Sequence, residues 1–295
     1  MILDELRYRL LYSSLKQLAA LPHSIRYQGL ARLVNIVLRS SGYRREVVRS
    51  NLSRSFPAKT IGEIRDIERL FYRDLAETII DIISMSGISE EQILAQMSYS
   101  NYREVEQQTR GRTWISAMSH YAMWEYVANY ALLTDHRVVA VYHRLSSPMF
   151  ERLMQQIRSR FGTQPVASGD IVRKIAEECE VGASPMVIGM VADQVPPNYK
   201  LTQWYRFLGR DTKFFSGMGK CAVKYHLPVY FLDVDKVRPG YYVGTFEQIF
   251  SGDESISAGE ITERYVRRLE NMILRRPELW LWSHRRWKYD RTQIG

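Results

Sequence analysis

Residues 113–130 read T-W-I-S-A-M-S-H-Y-A-M-W-E-Y-V-A-N-Y, and this stretch decides the fold. Its first part, Trp114 to Met118, is a short apolar run that predicts a buried strand. From Ser119-His120 onward the apolar residues recur at helical spacing, which predicts a helix following the strand. Glu125 stands five positions after His120. Five helical residues turn through about 500°, so the two side chains would not share a face within one helix. They meet only if His120 sits at or before the first turn with its ring folded over the helix start. The spacing therefore predicts a histidine at the carboxyl end of a strand, steered by a carboxylate one turn into the next helix.

A neutral imidazole whose second nitrogen donates to a carboxylate is held in one tautomer and made more basic. It is then suited to take a proton from an alcohol as that alcohol attacks a carbonyl, with no Ser or Cys nucleophile needed. H-x-x-x-x-E by itself is a short pattern that arises by chance. The competing reading is a core histidine satisfied by a neighbouring carboxylate.

Working outward, Arg137–Tyr142 reads as a second strand ending in His143-Arg144, and Pro148–Phe161 as a helix carrying Arg158 and Arg160. Gln164–Ala167 is a short strand, Ser168 caps a helix to Glu180, and Pro185–Ala192 is a continuous apolar strand ending in Asp193-Gln194. The following stretch, 195–215, reads as an aromatic-rich loop with Tyr199, Trp204, Tyr205, Phe207, Phe214 and Phe215. It suits an acyl groove, a surface dipping into lipid headgroups, or a core lid. Gly217–His226 is a helix, and Leu227–Val234 with Tyr241–Phe250 predicts a hairpin about Arg238-Pro239-Gly240. Capping boxes at Thr60/Glu63 and Ser257/Glu260 open two further helices.

Strands alternating with helices predict an α/β domain: a mainly parallel sheet covered by helices on both faces. In such sheets chemistry gathers at the carboxyl ends of strands. Three ends here are polar, Ser119-His120, His143-Arg144 and Asp193-Gln194, and parallel strands would project all three from one edge. Arg144, Arg158 and Arg160 suit oxyanion stabilisation or phosphate binding, against a plain solvated face for the two helical arginines. Asp193 suits steering of arginines or binding of a sugar hydroxyl, against a simple loop cap.

The chain has 295 residues, with 41 basic against 32 acidic, for a net charge of +9. That excess implies an anionic partner: nucleic acid, anionic lipid or an acidic carrier protein. Two cysteines, Cys179 and Cys221, do not make a disulfide framework, and neither has metal-ligand spacing. No secretory signal and no membrane span is apparent. Residues 1–58 are basic and helical in pattern, punctuated by Pro22 and Gly42 into two helices, with a catalytic α/β domain expected over 59–295. Arginines beside Leu, Ile and Val describe helices lying in a membrane interface, or helices packed on the domain with a solvated basic face. The tail W-L-W-S-H-R-R-W-K, residues 280–288, combines aromatic residues with His284, Arg285 and Arg286. It suits a phosphorylated glycolipid at an interface; nucleic acid is disfavoured because no known binding motif accompanies it.

Taken in order, several motifs resemble the bacterial lipid A biosynthesis acyltransferases of the lauroyl/myristoyl type, a branch of the lysophospholipid acyltransferase superfamily. They are Tyr43-Arg44-Arg45 with Asn51-Leu52-x-x-x-Phe56-Pro57, Ser119-His120-x-x-x-x-Glu125, Arg158-x-Arg160-Phe161-Gly162 and Ala192-Asp193-Gln194-x-Pro196. Phe207-Leu208-Gly209 and Trp280-Leu-Trp282-x-His284-Arg-Arg-Trp-Lys288 complete the set, and the central loop is similar to versions from Bacteroidetes-type bacteria. The resemblance implies an enzyme, peripheral or monotopic, at the cytoplasmic face of the bacterial inner membrane. It would move a fatty acyl chain from an acyl carrier protein or coenzyme A thioester to a hydroxyl of a lipid A precursor. His120 takes the family's general-base role and Glu125 its orienting role, with no metal or cofactor beyond the thioester. His143, Arg144, Arg158, Arg160, Asp193, Gln194, His284, Arg285 and Arg286 are the expected substrate-binding residues. Two alternatives stay open: the same chemistry on another acceptor (an ornithine or other glycolipid, a lysophospholipid, an aryl-polyene pigment), and a non-catalytic peripheral lipid-binding protein.

Overall fold

The structure is a computed structural model that describes residues 2–180, 184–195 and 202–288. Its centre is β2 (Trp114–Met118), in which every residue is buried. A strand buried on both faces needs a continuous apolar run, and W-I-S-A-M supplies one. Two neighbours flank it in parallel: β5 (Met186–Val191), with Ser116 opposite Gly189, and β8 (Val229–Arg238), with Ala117 opposite Phe231. β3 (Arg137–Tyr142) and β4 (Gln164–Ala167) extend the β5 side in parallel. On the other side β9 (Tyr241–Phe250) pairs antiparallel with β8, and β1 (Met97–Tyr99) pairs parallel with β9. The seven-stranded order is β1-β9-β8-β2-β5-β3-β4, parallel everywhere except at the β8–β9 hairpin.

Both predicted capping boxes form. Thr60 and Glu63 exchange hydrogen bonds at the start of α4 (Ile61–Ser84), and Ser257 and Glu260 do so at α10 (Ala258–Arg275). The predicted hairpin turn also forms. Gly240 there has φ of 77°, and a Cβ added to it would lie 2.4 Å from the Tyr27 hydroxyl. Only glycine fits that close approach in the left-handed region.

Elsewhere the structure departs from the reading. The N-terminal region forms three helices rather than two: α1 (Ile2–Ala19), then a π-helical turn (Ile25–Leu30) running straight into α2 (Ala31–Ser40), then α3 (Arg45–Ser55). Pro22 and Gly42 do mark the breaks between them. Tyr8, Val48 and Leu52 from this region share one buried cluster with the sheet residues. After His120 the chain forms a 3-10 helix (Trp124–Leu132), not an α-helix. Residues 85–112, unassigned by pattern, contain α5 (Glu90–Gln96), β1 and α6 (Tyr102–Gln108). The aromatic stretch expected as a loop is largely an antiparallel hairpin of β6 (Thr202–Phe207) and β7 (Arg210–Phe215); Tyr199 lies outside the described residues. Phe207 and Phe214 face the core at 0% exposure. The remaining helices are α7 (Pro148–Ser159), α8 (Ile171–Glu180) and α9 (Gly217–Tyr225). No helix among the described residues is long and apolar enough to cross a membrane.

The tail does not present its indoles at a surface. Trp280 and Trp282 are 2% and 0% exposed and stack edge to face at 4.7 Å. The early Y-R-R and N-L-x-x-x-F-P motifs hold them there. Arg44 Nη1 donates to the Ser283 carbonyl at 2.9 Å, and Asn51 Nδ2 donates to the carbonyls of Trp282 and His284, each at 2.9 Å. Asn51→Ala should therefore leave two tail carbonyls short of a donor. The expected loss is about 1–3 kcal/mol of unfolding free energy by urea titration, and an unchanged midpoint would contradict it.

Candidate active site

His120 and Asp193 face each other because their strands are in register. Met118 pairs with Val191, and the Ala192 amide donates to the Met118 carbonyl at 3.1 Å, so the chain delivers one residue from each strand end to the same place. Asp193 is 1% exposed. Its Oδ1 accepts from the His120 backbone N–H at 3.1 Å and from the ring Nδ1 at 2.8 Å. Its Oδ2 accepts from the Trp280 indole at 2.8 Å. Burial alone would raise the carboxyl, but the His120 charge and the hydrogen bonds from His120 and Trp280 hold it below its ordinary value. An ionised Asp193 only accepts, so in the neutral form of the ring Nδ1 carries the proton and Nε2 keeps the lone pair. No described residue hydrogen-bonds to Nε2, and the ring keeps 21% exposure. The Trp124 ring lies edge-on to the imidazole at 5.0 Å and limits its rotation.

A strap from the tail closes the back of this arrangement. Leu281 N–H donates to the His120 carbonyl at 3.0 Å and Ala122 N–H to the Leu279 carbonyl at 2.8 Å, with Tyr121 and Trp280 bridged antiparallel. Tyr265 supports the strand end from below, its hydroxyl donating to the Met118 carbonyl at 2.9 Å.

The predicted partner of His120 is therefore corrected. Glu125 does not reach the imidazole. It forms a two-pronged ion pair with Arg158 of α7, with Nε at 2.8 Å, and its side chain is 8% exposed against 17% for the arginine. The 3-10 turn that replaces the expected α-helix carries Glu125 toward α7. Asp193, read from sequence as a binder of sugars or arginines, is the group that holds the histidine.

The other expected site residues divide. Arg160 is committed to structure, donating to the carbonyls of Met85 and Ile88. His143 and Arg144 sit at the carboxyl end of β3, on the same sheet edge, but both are exposed and bond to Ser168 and Asp170 rather than to the His120 cluster. Gln194 is half-buried beside Asp193, and Arg285 is exposed. His284 belongs to the cluster electrostatically: burial pushes its imidazole down to about 4, and its buried Nδ1 has no hydrogen-bond partner among the described residues. Arg286 is 2% exposed, lies over the Phe214 ring at 4.3 Å and donates to the Lys213 carbonyl. Burial pushes it down to about 10. Trp280, expected at a membrane interface, proves to be a hydrogen-bond donor to Asp193. The sequence signal for it was the motif itself; nothing in the spacing says that residue 280 returns to residue 193.

A histidine backed by a buried carboxylate stands at the carboxyl edge of a largely parallel sheet, an arrangement chemically able to accept a proton. The family model for the bacterial lipid A biosynthesis acyltransferases matches residues 3–289, and the chain belongs to that family. Family membership makes it an acyltransferase of lipid A biosynthesis in the general sense, with an acyl donor and a lipid A-type acceptor. None of the curated proteins matches it.

Proposed function

We infer that the protein transfers a fatty acyl chain from a thioester, carried by acyl carrier protein or coenzyme A, to a hydroxyl of a lipid A precursor, with His120 as the base. The observation that supports this most is the free Nε2 of an imidazole whose Nδ1–H is bound to buried Asp193. As the acceptor oxygen attacks the thioester carbonyl, its proton passes to Nε2. The C–S bond then breaks, and the departing sulfur takes that proton from the imidazolium. Asp193 fixes the tautomer and stabilises the cation that forms between these steps, the role filled by a buried carboxylate in hydrolase triads. Glu125 acts on the site through Arg158, by setting where the turn carrying Trp124 lies.

The enzyme works from the cytoplasmic face of the inner membrane without spanning it. The reading rests on the exposed apolar residues Leu33, Ile36 and Val37 of α2 standing between Arg32 and Arg39, a pattern suited to a headgroup boundary. Residues 1–58 would serve as this attachment segment and 59–295 as the catalytic domain. Mass spectrometry of lipid A from a strain lacking the gene tests the acceptor. The expected result is loss of one acyl chain, restored by the wild-type gene; an unchanged acyl pattern would assign the chemistry to another acceptor lipid.

A further inference from the structure

A second histidine is enclosed at the edge of the sheet opposite His120. His136 stands directly before β3, is 8% exposed, and has both ring nitrogens engaged. Nε2 meets the carbonyls of Thr109 and Arg112, each at 3.2 Å. Nδ1 meets Glu106 Oε2 at 3.2 Å and Thr134 Oγ1 at 3.0 Å.

What these four atoms can offer fixes the state of the ring. A carbonyl only accepts, so Nε2 must carry a proton. The Thr134 hydroxyl commits its single hydrogen to Glu106 Oε2 at 2.7 Å, and the Tyr130 hydroxyl commits its own to Oε1 at 2.6 Å. Two hydroxyl donors favour the charged form of that carboxyl, and a carboxylate presents lone pairs alone. Nδ1 therefore also faces acceptors only. A neutral imidazole has one N–H and one lone pair, so either tautomer would turn a lone pair against an acceptor inside the protein. The imidazolium fits every contact. Burial works against its charge, but the hydrogen bond and charge of Glu106, with the two carbonyls, outweigh burial and hold His136 above its ordinary value. Burial likewise raises Glu106, and the donors from His136, Tyr130 and Thr134 bring it below its own.

The neighbouring charges look elsewhere. The Arg112 guanidinium is 3.5 Å from Asp253, Arg137 donates to Glu178 at 3.0 Å, and Asp135 is exposed. Glu106 is the charged side chain bonded to His136 among the described residues.

The cluster also joins three segments. Glu106 lies in the last turn of α6 and Thr109 caps that helix, while Arg112 stands just before β2. Tyr130 belongs to the 3-10 crossover from β2 to β3, and Thr134 follows it. The same crossover begins at Trp124, whose ring lies against His120.

We propose that His136 is held as an imidazolium by Glu106 and serves as a pH-sensitive latch. It fastens the far end of the crossover to α6 and to the turn before β2, and it opens as alkali removes the ring proton. The latch stands independently of the acyl-transfer reading. Because folding raises His136, its stabilisation is complete below the ordinary value and is lost as pH rises through the raised one. Folding lowers Glu106, so its stabilisation is present above the ordinary value and is lost as pH falls through the lowered one. Both are complete between the ordinary values of 4.5 and 6.5.

Ring ¹⁵N spectra of the full chain, labelled at its six histidines, read the proton directly. Replacing the other five one at a time assigns His136 without relying on a variant of that residue. The expected signal is two protonated nitrogens at pH 7, with a titration midpoint above that of an ordinary histidine. A ring with one protonated nitrogen at pH 7, or a midpoint at or below the ordinary value, would overturn the proposal. Urea titrations of the wild type and Glu106→Gln at pH 6 and pH 9 then read the latch. The gap between their midpoints should shrink by about half or more at the higher pH. His136→Gln gives the same comparison from the other partner. A gap of equal size at both pH values would mean that the contacts hold by packing alone, and the latch would be refuted. Should neither variant fold, the spectra of the wild-type ring decide.

Discussion

Asp193→Asn is expected to lower acyl transfer by about 10²–10⁴-fold with the fold retained, nearly as much as His120→Ala. The carboxylate receives three N–H donors: two from His120 on Oδ1 and one from Trp280 on Oδ2. An amide has only one oxygen. Turned one way, its NH₂ meets the indole N–H; turned the other, it meets the His120 backbone amide and forces Nδ1 to accept. The second arrangement moves the proton to Nε2 and removes the base. The first keeps the tautomer but strands a buried donor and withdraws the charge that stabilises the imidazolium. Either way the loss falls on kcat rather than on KM, because neither side chain need touch the ground-state acceptor for it. Single-turnover kinetics on both variants separates the cases. Asp193→Asn with wild-type turnover would refute the assignment.

Glu125→Ala should act first on stability, lowering the unfolding free energy by about 3–5 kcal/mol. It leaves the Arg158 guanidinium, 17% exposed, without its hydrogen-bonded carboxylate, with the charge of Glu151 and the Tyr142 ring, at 5.5 Å, as remaining neighbours. Arg158→Ala should cost a similar amount for the mirror reason. The informative variant is the double replacement by Leu at 125 and Met at 158, which removes both charges and keeps much of the volume. It should regain most of the lost stability, since a buried pair often does little better than an apolar one of the same shape. Strictly additive losses in denaturant titrations would mean that the two residues are not coupled. If the stable double variant also recovers activity, Glu125 has no direct part in proton transfer.

These two residues mark the boundary of what the chain discloses on its own. Strand β2 was legible because an unbroken apolar run has few other uses, and both capping boxes were legible because their hydrogen bonds are local. The three polar strand ends did come together on one edge, as parallel pairing requires. What sequence could not supply was pairing between distant segments. His120 and Glu125 lie close enough along the chain to invite a partnership, yet the tighter 3-10 turn sends Glu125 to Arg158, 33 residues further on. Asp193 finds His120 across 73 residues through the β2–β5 register, and no periodicity encodes which strands are neighbours. The aromatic tail misled for a related reason. Indoles beside arginines suit an interface or a core equally well, and only the tether from Asn51, 231 residues away, shows which it is.

That tether has a bearing on how the enzyme comes into being. The histidine belongs to the first half of the chain, while the indole that braces its carboxylate stands at position 280. The strands flanking residue 120, the later of which ends at Arg238, are all made before the strap that fastens them. The histidine–carboxylate pair is thus complete only when a segment made after every strand of the sheet has packed behind it.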